Sequence, residues 1–191
     1  MARDDPAHTR RAVLQGTRIS LIGTVDKDMV VKLIDELASC PDESDVIVEI
    51  TTSGGDADLA RRMALEVRRA RAERRGRLRF LGKTEVYSAG VTVMSAFPRE
   101  DRYLTEDAIL LVHSRQLETT VQLSGPIRSS LPVLDALRQQ IDLGIKLERE
   151  GFESLIAGSC VRLEDLEEKA LHDWYLGAEE ALRLGLIAQL A

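Results

Sequence analysis

The sequence predicts an α/β domain. Short apolar runs rich in β-branched residues alternate with longer stretches whose apolar positions recur at helical spacing, the alternation of βαβ units. The clearest strand-like run, Asp45 to Ile50, is almost continuously apolar, as suits a parallel strand covered on both faces. Aromatic residues make up only 4% of the chain, so its packing falls to Leu, Ile, Val and Ala. A length of 191 residues suffices to bury roughly two thirds of the surface that the unfolded chain would expose.

In chain order, residues 1 to 16 are polar, contain Pro6 and show no sustained period, which predicts a flexible tail; 17 to 191 are expected to form one domain. Thr17 to Gly23 alternates Ile19 and Leu21 with polar neighbours and reads as a strand and turn. From Asp28, the stripe Val30, Leu33, Ile34, Leu37, Ala38 predicts a helix stopped by Pro41. After the strand at 45 to 50, Ala57 to about Arg74 carries Leu59, Met63 and Val67 on a second helix, broken at Gly76. Arg77 to Leu81 is the next strand. Ser88 to Phe97, small and apolar, predicts a buried helix ending before Pro98. Arg102 to Leu104 and Ala108 to Val112 read as strands, and 114 to 125 as a polar loop closing on Gly125-Pro126. Leu134, Leu137, Ile141, Ile145, Phe152 and Leu155 mark a long helical stretch with Gly144 and Gly151 as points where it can bend. Helices at about 164 to 171 and 178 to 184 close the chain.

Composition excludes several classes of function. With 44% hydrophobic and 30% charged residues the chain is neither disordered, collagen-like nor a disulfide framework. A net charge of -6 argues against general nucleic-acid coating. Cys40 and Cys160 are far apart and lack metal-ligand spacing, the usage of a reduced intracellular protein. Without a secretory h-region or a run of about 18 apolar residues, the expectation is a soluble, cytoplasmic protein with no membrane partner.

Four groups at element boundaries can carry chemistry. Ser53-Gly54-Gly55 follows a parallel strand and precedes a helix, where open α/β sheets bind ligands; two glycines there can turn backbone N–H groups toward an oxyanion, or simply make a tight connection. Ser88 opens a helix beside the N–H of Ala89, as a nucleophile or as an N-cap. His113 ends an apolar strand, where an imidazole can serve as general base or be an ordinary histidine. Asp173 precedes Trp174-Tyr175-Leu176, so its carboxylate is either partly covered and able to orient an imidazole, or a surface charge. His8 falls in the tail and His172 in a charged helical end.

In this order the groups resemble the ClpP family of serine peptidases. Thr52-Ser-Gly-Gly-Asp56 is similar to the family's Ser-Pro-Gly-Gly loop, Ser88-Ala-Gly90 to its Ser-Met-Gly nucleophile segment, and Leu110-Leu-Val-His113 to its apolar strand ending in Ile-His. Asp173-Trp-Tyr-Leu and Glu180-Ala-Leu-Arg-Leu-Gly-Leu186 are similar to its Asp-x-Phe-Leu and Glu-Ala-x-x-Tyr-Gly-Leu ending, and Arg102 falls where the family commonly has a basic residue. The resemblance covers about residues 17 to 189. It implies a ClpP/crotonase-like fold with Ser88 as nucleophile, His113 as general base and then acid, and Asp173 as orienting carboxylate. The N–H groups of Gly55 and Ala89 would form the oxyanion hole, with Gly54 and Tyr87 beside the substrate pocket, and neither metal nor cofactor is called for. It also implies a handle of strand and long helix over about 114 to 158, assembly as a homo-oligomer of stacked seven-membered rings, peptide or unfolded-protein substrates and an AAA+ unfoldase partner. Here His113-Ser-Arg-Gln116 stands where the family has His-Gln-Pro, the handle lacks a Gly pair, Gly82 to Ser88 is two residues longer than the family's Gly-Gln-Ala-Ala-Ser, and the tail lacks an axial-loop sequence.

Two other classes fit part of the pattern. A crotonase-like acyl-CoA hydratase or isomerase would use the same paired N–H groups without the Ser-His-Asp order. A catalytically silent assembly subunit would keep the fold with its triad misaligned or its pocket blocked by Tyr87. The arginines Arg61, Arg62, Arg68, Arg69, Arg71, Arg74, Arg75 and Arg77 suggest a solvated helix face or subunit contact before they suggest nucleic acid.

Overall fold

The computed structural model describes residues 14–191, so the expected tail, His8 included, lies outside the described residues except for its last three positions. Of these, Leu14 packs on the cluster of Ile47, Leu81 and Tyr103, and Arg18 donates to the Leu14 carbonyl.

The fold is α/β, built on one mixed sheet of seven strands. Strands β1 (Thr17–Ile22), β2 (Val46–Thr52), β3 (Leu78–Tyr87), β4 (Arg102–Leu104) and β7 (Gln189–Leu190) lie side by side in that order and are parallel throughout. Strand β3 is long enough to serve two neighbours. Its first part pairs with β4 and its last part with β5 (Ile109–Val112), which carries antiparallel β6 (Trp174–Gly177). The sequence reading ends β3 at Leu81 and gives β6 no element, because Lys83, Thr84 and Glu85 interrupt the apolar run and a four-residue strand has too little period to show.

Helix α1 (Lys27–Ser39) starts on Asp26, whose carboxylate accepts the Met29 N–H at 2.9 Å, and buries Met29, Val30, Leu33 and Leu37. Helix α2 (Ala57–Glu73) starts on Asp56 in the same way and buries Ala60, Met63, Ala64 and Val67. Val46, Val48 and Ile50 of β2 join this core, while Ile47 packs on the opposite face of the sheet, so β2 is covered on both sides as its unbroken apolarity requires.

Helix α3 (Ala89–Ser95) is short and buried. Helix α4 (Ile127–Ile156) runs for 30 residues, including Pro132, Gly144 and Gly151, and buries only Phe152 and Leu155. The strand that the family resemblance implies for the start of the handle is not formed: residues 113 to 126 belong to no strand. Helices α5 (Leu163–Ala170) and α6 (Ala178–Arg183) complete the chain.

The end of α4 is fastened by Arg102. Its guanidinium, 1% exposed, donates to the carbonyls of Phe97, Leu155, Leu186, Ser95 and Ser154 at 2.6 to 3.3 Å. Burial pushes its pKa down to about 10, which still leaves it charged at neutral pH, and five oriented carbonyl dipoles stand in for a carboxylate.

Candidate active site

The site forms where β2, β3 and β5 end together. After Thr52 the chain turns through Gly54 (φ +114) and Gly55 (φ +146). Val25 closes on this turn from the other side: its N–H donates to the Gly54 carbonyl at 2.8 Å, and its carbonyl accepts the Asp56 N–H at 2.9 Å. A Cβ on Gly55 would lie 2.4 Å from the Val25 oxygen, so only glycine fits. Because the bonds to Val25 come from the residues flanking Gly55, the N–H of Gly55 itself faces the other edge of the strand, the side of β3 and Ser88.

Ser88 joins β3 to α3 with φ 52 and ψ -109, a conformation that a side chain rarely adopts. It is fixed there by its N–H on the Leu111 carbonyl at 2.8 Å and by its own carbonyl, which accepts from Val91 and Thr92. The expected alternative of a capping serine is not what forms, since the Ser88 hydroxyl makes no cap hydrogen bond. A Cβ on Gly54 would approach Ser88 Cβ to 3.1 Å, so the glycine turn runs directly against the serine. Ala89, the first residue of α3, presents an N–H that helix geometry leaves without an intrahelical partner.

Upstream, the pairing of β2 with β3 slips from Ile50 opposite Gly82 to Thr52 opposite Val86, so β3 spends two extra residues around Thr84, which has φ 57. The added length between Gly82 and Ser88 is taken up in this bulge. Tyr87 then falls on the sheet face shared with Leu111 and Tyr175, and its ring meets that of Tyr175 edge-on at 5.9 Å. Neither Tyr87 nor Gly54 is among the residues that line the cavity shared by Ser88 and His113.

His113 follows the last residue of β5. Its Nδ1–H donates to the Ser114 carbonyl at 2.7 Å, which leaves Nε2 as the basic nitrogen. In the antiparallel register Val112 opposes Trp174, so the next pair across the ladder is His113 and Asp173. Asp173 is also held at positive φ, 55°, but it is exposed, and no hydrogen bond or ion pair joins it to His113 among the described residues. The partial covering expected of Asp173 does not occur, because alternation turns it to the open face while Trp174 and Leu176 take the buried one. Of the three non-glycine residues with positive φ among the described residues, Thr84, Ser88 and Asp173, two are candidate site residues and the third shapes the approach to one of them.

Ser88, Ala89 and His113 share a cavity of about 360 Å³ between α2, α3 and α4, floored by Val91, Val112, Phe152 and Leu155. Arg115, not singled out by the sequence, braces its rim. Its guanidinium reaches Asp58 of α2 at 3.0 Å and its backbone N–H donates to Glu148 of α4. That guanidinium holds the Asp58 carboxyl below the usual carboxylate range. Residues 114 to 125 read only as a polar loop, and nothing in that pattern marks Arg115.

The arginine cluster resolves into local partners. Arg61, Arg62 and Arg69 pair along α2 with Asp58, Glu66 and Glu73. Arg71 and Arg77 converge on buried Asp101, Arg74 donates to carbonyls at the end of α1, and Arg75 pairs with Asp42 and Glu43. Arg68 alone has no partner among the described residues. No cluster of three His, Cys, Asp or Glu residues among them is arranged to hold a metal, and no described helix is long and apolar enough to cross a membrane. No family model matches the chain, and no curated protein matches it closely enough to count as a relative.

Proposed function

We propose that the protein is a serine endopeptidase of ClpP-like design acting on peptides or unfolded segments. The observation that carries this reading is Ser88: a non-glycine residue locked at φ 52 at a strand-to-helix turn, its hydroxyl unused by the helix and its cavity shared with His113.

In the proposed reaction Ser88 Oγ attacks a peptide carbonyl while His113 Nε2 takes its proton. The N–H groups of Gly55 and Ala89 receive the developing oxyanion. Collapse of the tetrahedral intermediate breaks the C–N bond, and His113 returns the proton to the leaving amine. Water, deprotonated by His113, then releases the acyl group from Ser88. The Ser114 carbonyl holds the required tautomer, and Asp173, opposite in register, would strengthen the base once it turned onto Nδ1.

Assembly belongs to the same proposal. Ile127, Leu131, Leu134, Ile141 and Ile145 form one exposed apolar stripe of α4, which a homo-oligomer would bury. A second reading, a silent subunit, is favoured by the missing His113–Asp173 bond. Hydrolysis of an unfolded protein and of quenched peptides, compared between wild type and Ser88→Ala, separates the two. Loss of at least about 10³-fold in the variant is expected, with assembly unchanged. Equal rates would sink the peptidase reading.

A further inference from the structure

The cavity beside Ser88 has an apolar floor and a cationic wall. Ala57, Arg61, Ala64 and Arg68 lie at i, i+4, i+7 and i+11, one stripe of α2, and all four line it. The alanines keep the floor open, while the arginines stand over it.

The charges around the cavity do not cancel. Glu148 is engaged by the Arg115 N–H, and Glu150 faces Lys146 along α4. Asp58 is shared between Arg115 at 3.0 Å and Arg61 at the looser 3.5 Å. Arg68, the one member of the arginine cluster without a partner among the described residues, therefore meets a cavity whose carboxylates are already committed. A guanidinium at the wall of a partly enclosed cavity is a ready receptor for a carboxylate, because a bound ligand displaces the water that would otherwise screen the pair.

Shape narrows the choice. Val91, Val112 and Leu155 line the cavity together with the arginines, which favours an apolar stem with a terminal acid. Arg68 stands 11 residues into α2 from Ala57, about 16 Å along the axis. That depth favours glutamate over the shorter aspartate.

Resting on the peptidase reading, we infer that this cavity receives a glutamate side chain of the substrate, its carboxylate bound by Arg68 with Arg61 nearer the mouth. The protein would then cut preferentially beside glutamate within otherwise apolar sequence.

The test uses C-terminally amidated, quenched peptides that differ only in Glu, Gln, Asp or Leu at the residue before the scissile bond. The same peptides are also titrated by fluorescence anisotropy onto Ser88→Ala, where binding is read without turnover. The expected result is about a tenfold advantage of Glu over its isostere Gln, in kcat/KM and in affinity, with Asp behind Glu. In Arg68→Gln the Glu-to-Gln ratio should fall toward one, and Arg68→Lys should restore part of it. Equal handling of Glu and Gln by wild type, or a ratio that survives Arg68→Gln, overturns the inference. A wild type that cleaves none of the peptides yet binds Glu over Gln would defeat the peptidase reading while leaving the carboxylate site standing.

Discussion

The two halves of the candidate site are held very differently. Ser88 sits between buried elements: its backbone is bonded to β5 and α3, a side chain on Gly54 would crowd its Cβ, and Val25 fixes the glycine turn through two hydrogen bonds. The His113 half is at the end of a four-residue strand. There the imidazole leans on the carbonyl of the next residue, Asp173 opposes it in register without touching it, and Arg115 ties the following loop to α2 and α4. Core packing thus supports the strain of the nucleophile, whereas the base depends on a few polar contacts and on a long helix whose apolar stripe is uncovered. A site of this kind is half preorganised, and neighbours can complete the other half.

The nucleophile half is most vulnerable at the glycine turn. Gly55→Ala puts a Cβ against the Val25 backbone at a φ that suits only glycine, and a loss of at least about 2 kcal/mol is expected in urea unfolding. A variant as stable as wild type would show that the nucleophile half is looser than described.

Next in size is the assembly. Leu131→Glu with Ile145→Glu puts charges into the exposed stripe of α4 and should shift the sedimentation coefficient to that of a smaller species. Hydrolysis should fall with it, since α4 walls the cavity and carries Glu148. Unchanged sedimentation would remove the stripe from the proposed interface.

Asp173→Asn separates the halves more finely. Since the Ser114 carbonyl already sets the His113 tautomer, the loss in kcat should be nearer tenfold than the roughly 10⁴-fold seen when a triad carboxylate alone holds the imidazole. A loss of the larger size would mean that Asp173 is the partner during turnover.

The smallest effect concerns Asp58. Its folded pKa is depressed by Arg115, so its contribution to stability is present above the unfolded value of about 3.9 and lost as pH falls through the lower folded value. Asp58→Asn should flatten that acid limb by less than about 1 kcal/mol, because the Asp58 carboxylate is largely exposed. Acid unfolding curves that superimpose would show that Arg115 does not need this anchor.

Much of the fold is legible in the sequence because its signals are local. The stripe Val30-Leu33-Leu37 and the run Val46 to Ile50 each contain a period or an apolar density that only one element satisfies. Ser88 and His113 are legible as boundary residues, since an apolar run ends at each of them. The bulge at Thr84 and strand β6 are not, because each exists only through pairing with a distant strand. Arg115 and Arg68 stand out only by what surrounds them in space: one among charged residues of two helices, the other by lacking a partner among the described residues in a cluster whose seven other members have one.

A proposed peptidase requires Ser88 to be an activated nucleophile. Treatment of the native protein with a fluorophosphonate, read by intact mass and peptide mapping, tests this directly. One adduct per chain on Ser88, lost in both Ser88→Ala and His113→Ala, is the expected result. An adduct that persists in Ser88→Ala, or none on folded and assembled wild type, would contradict it.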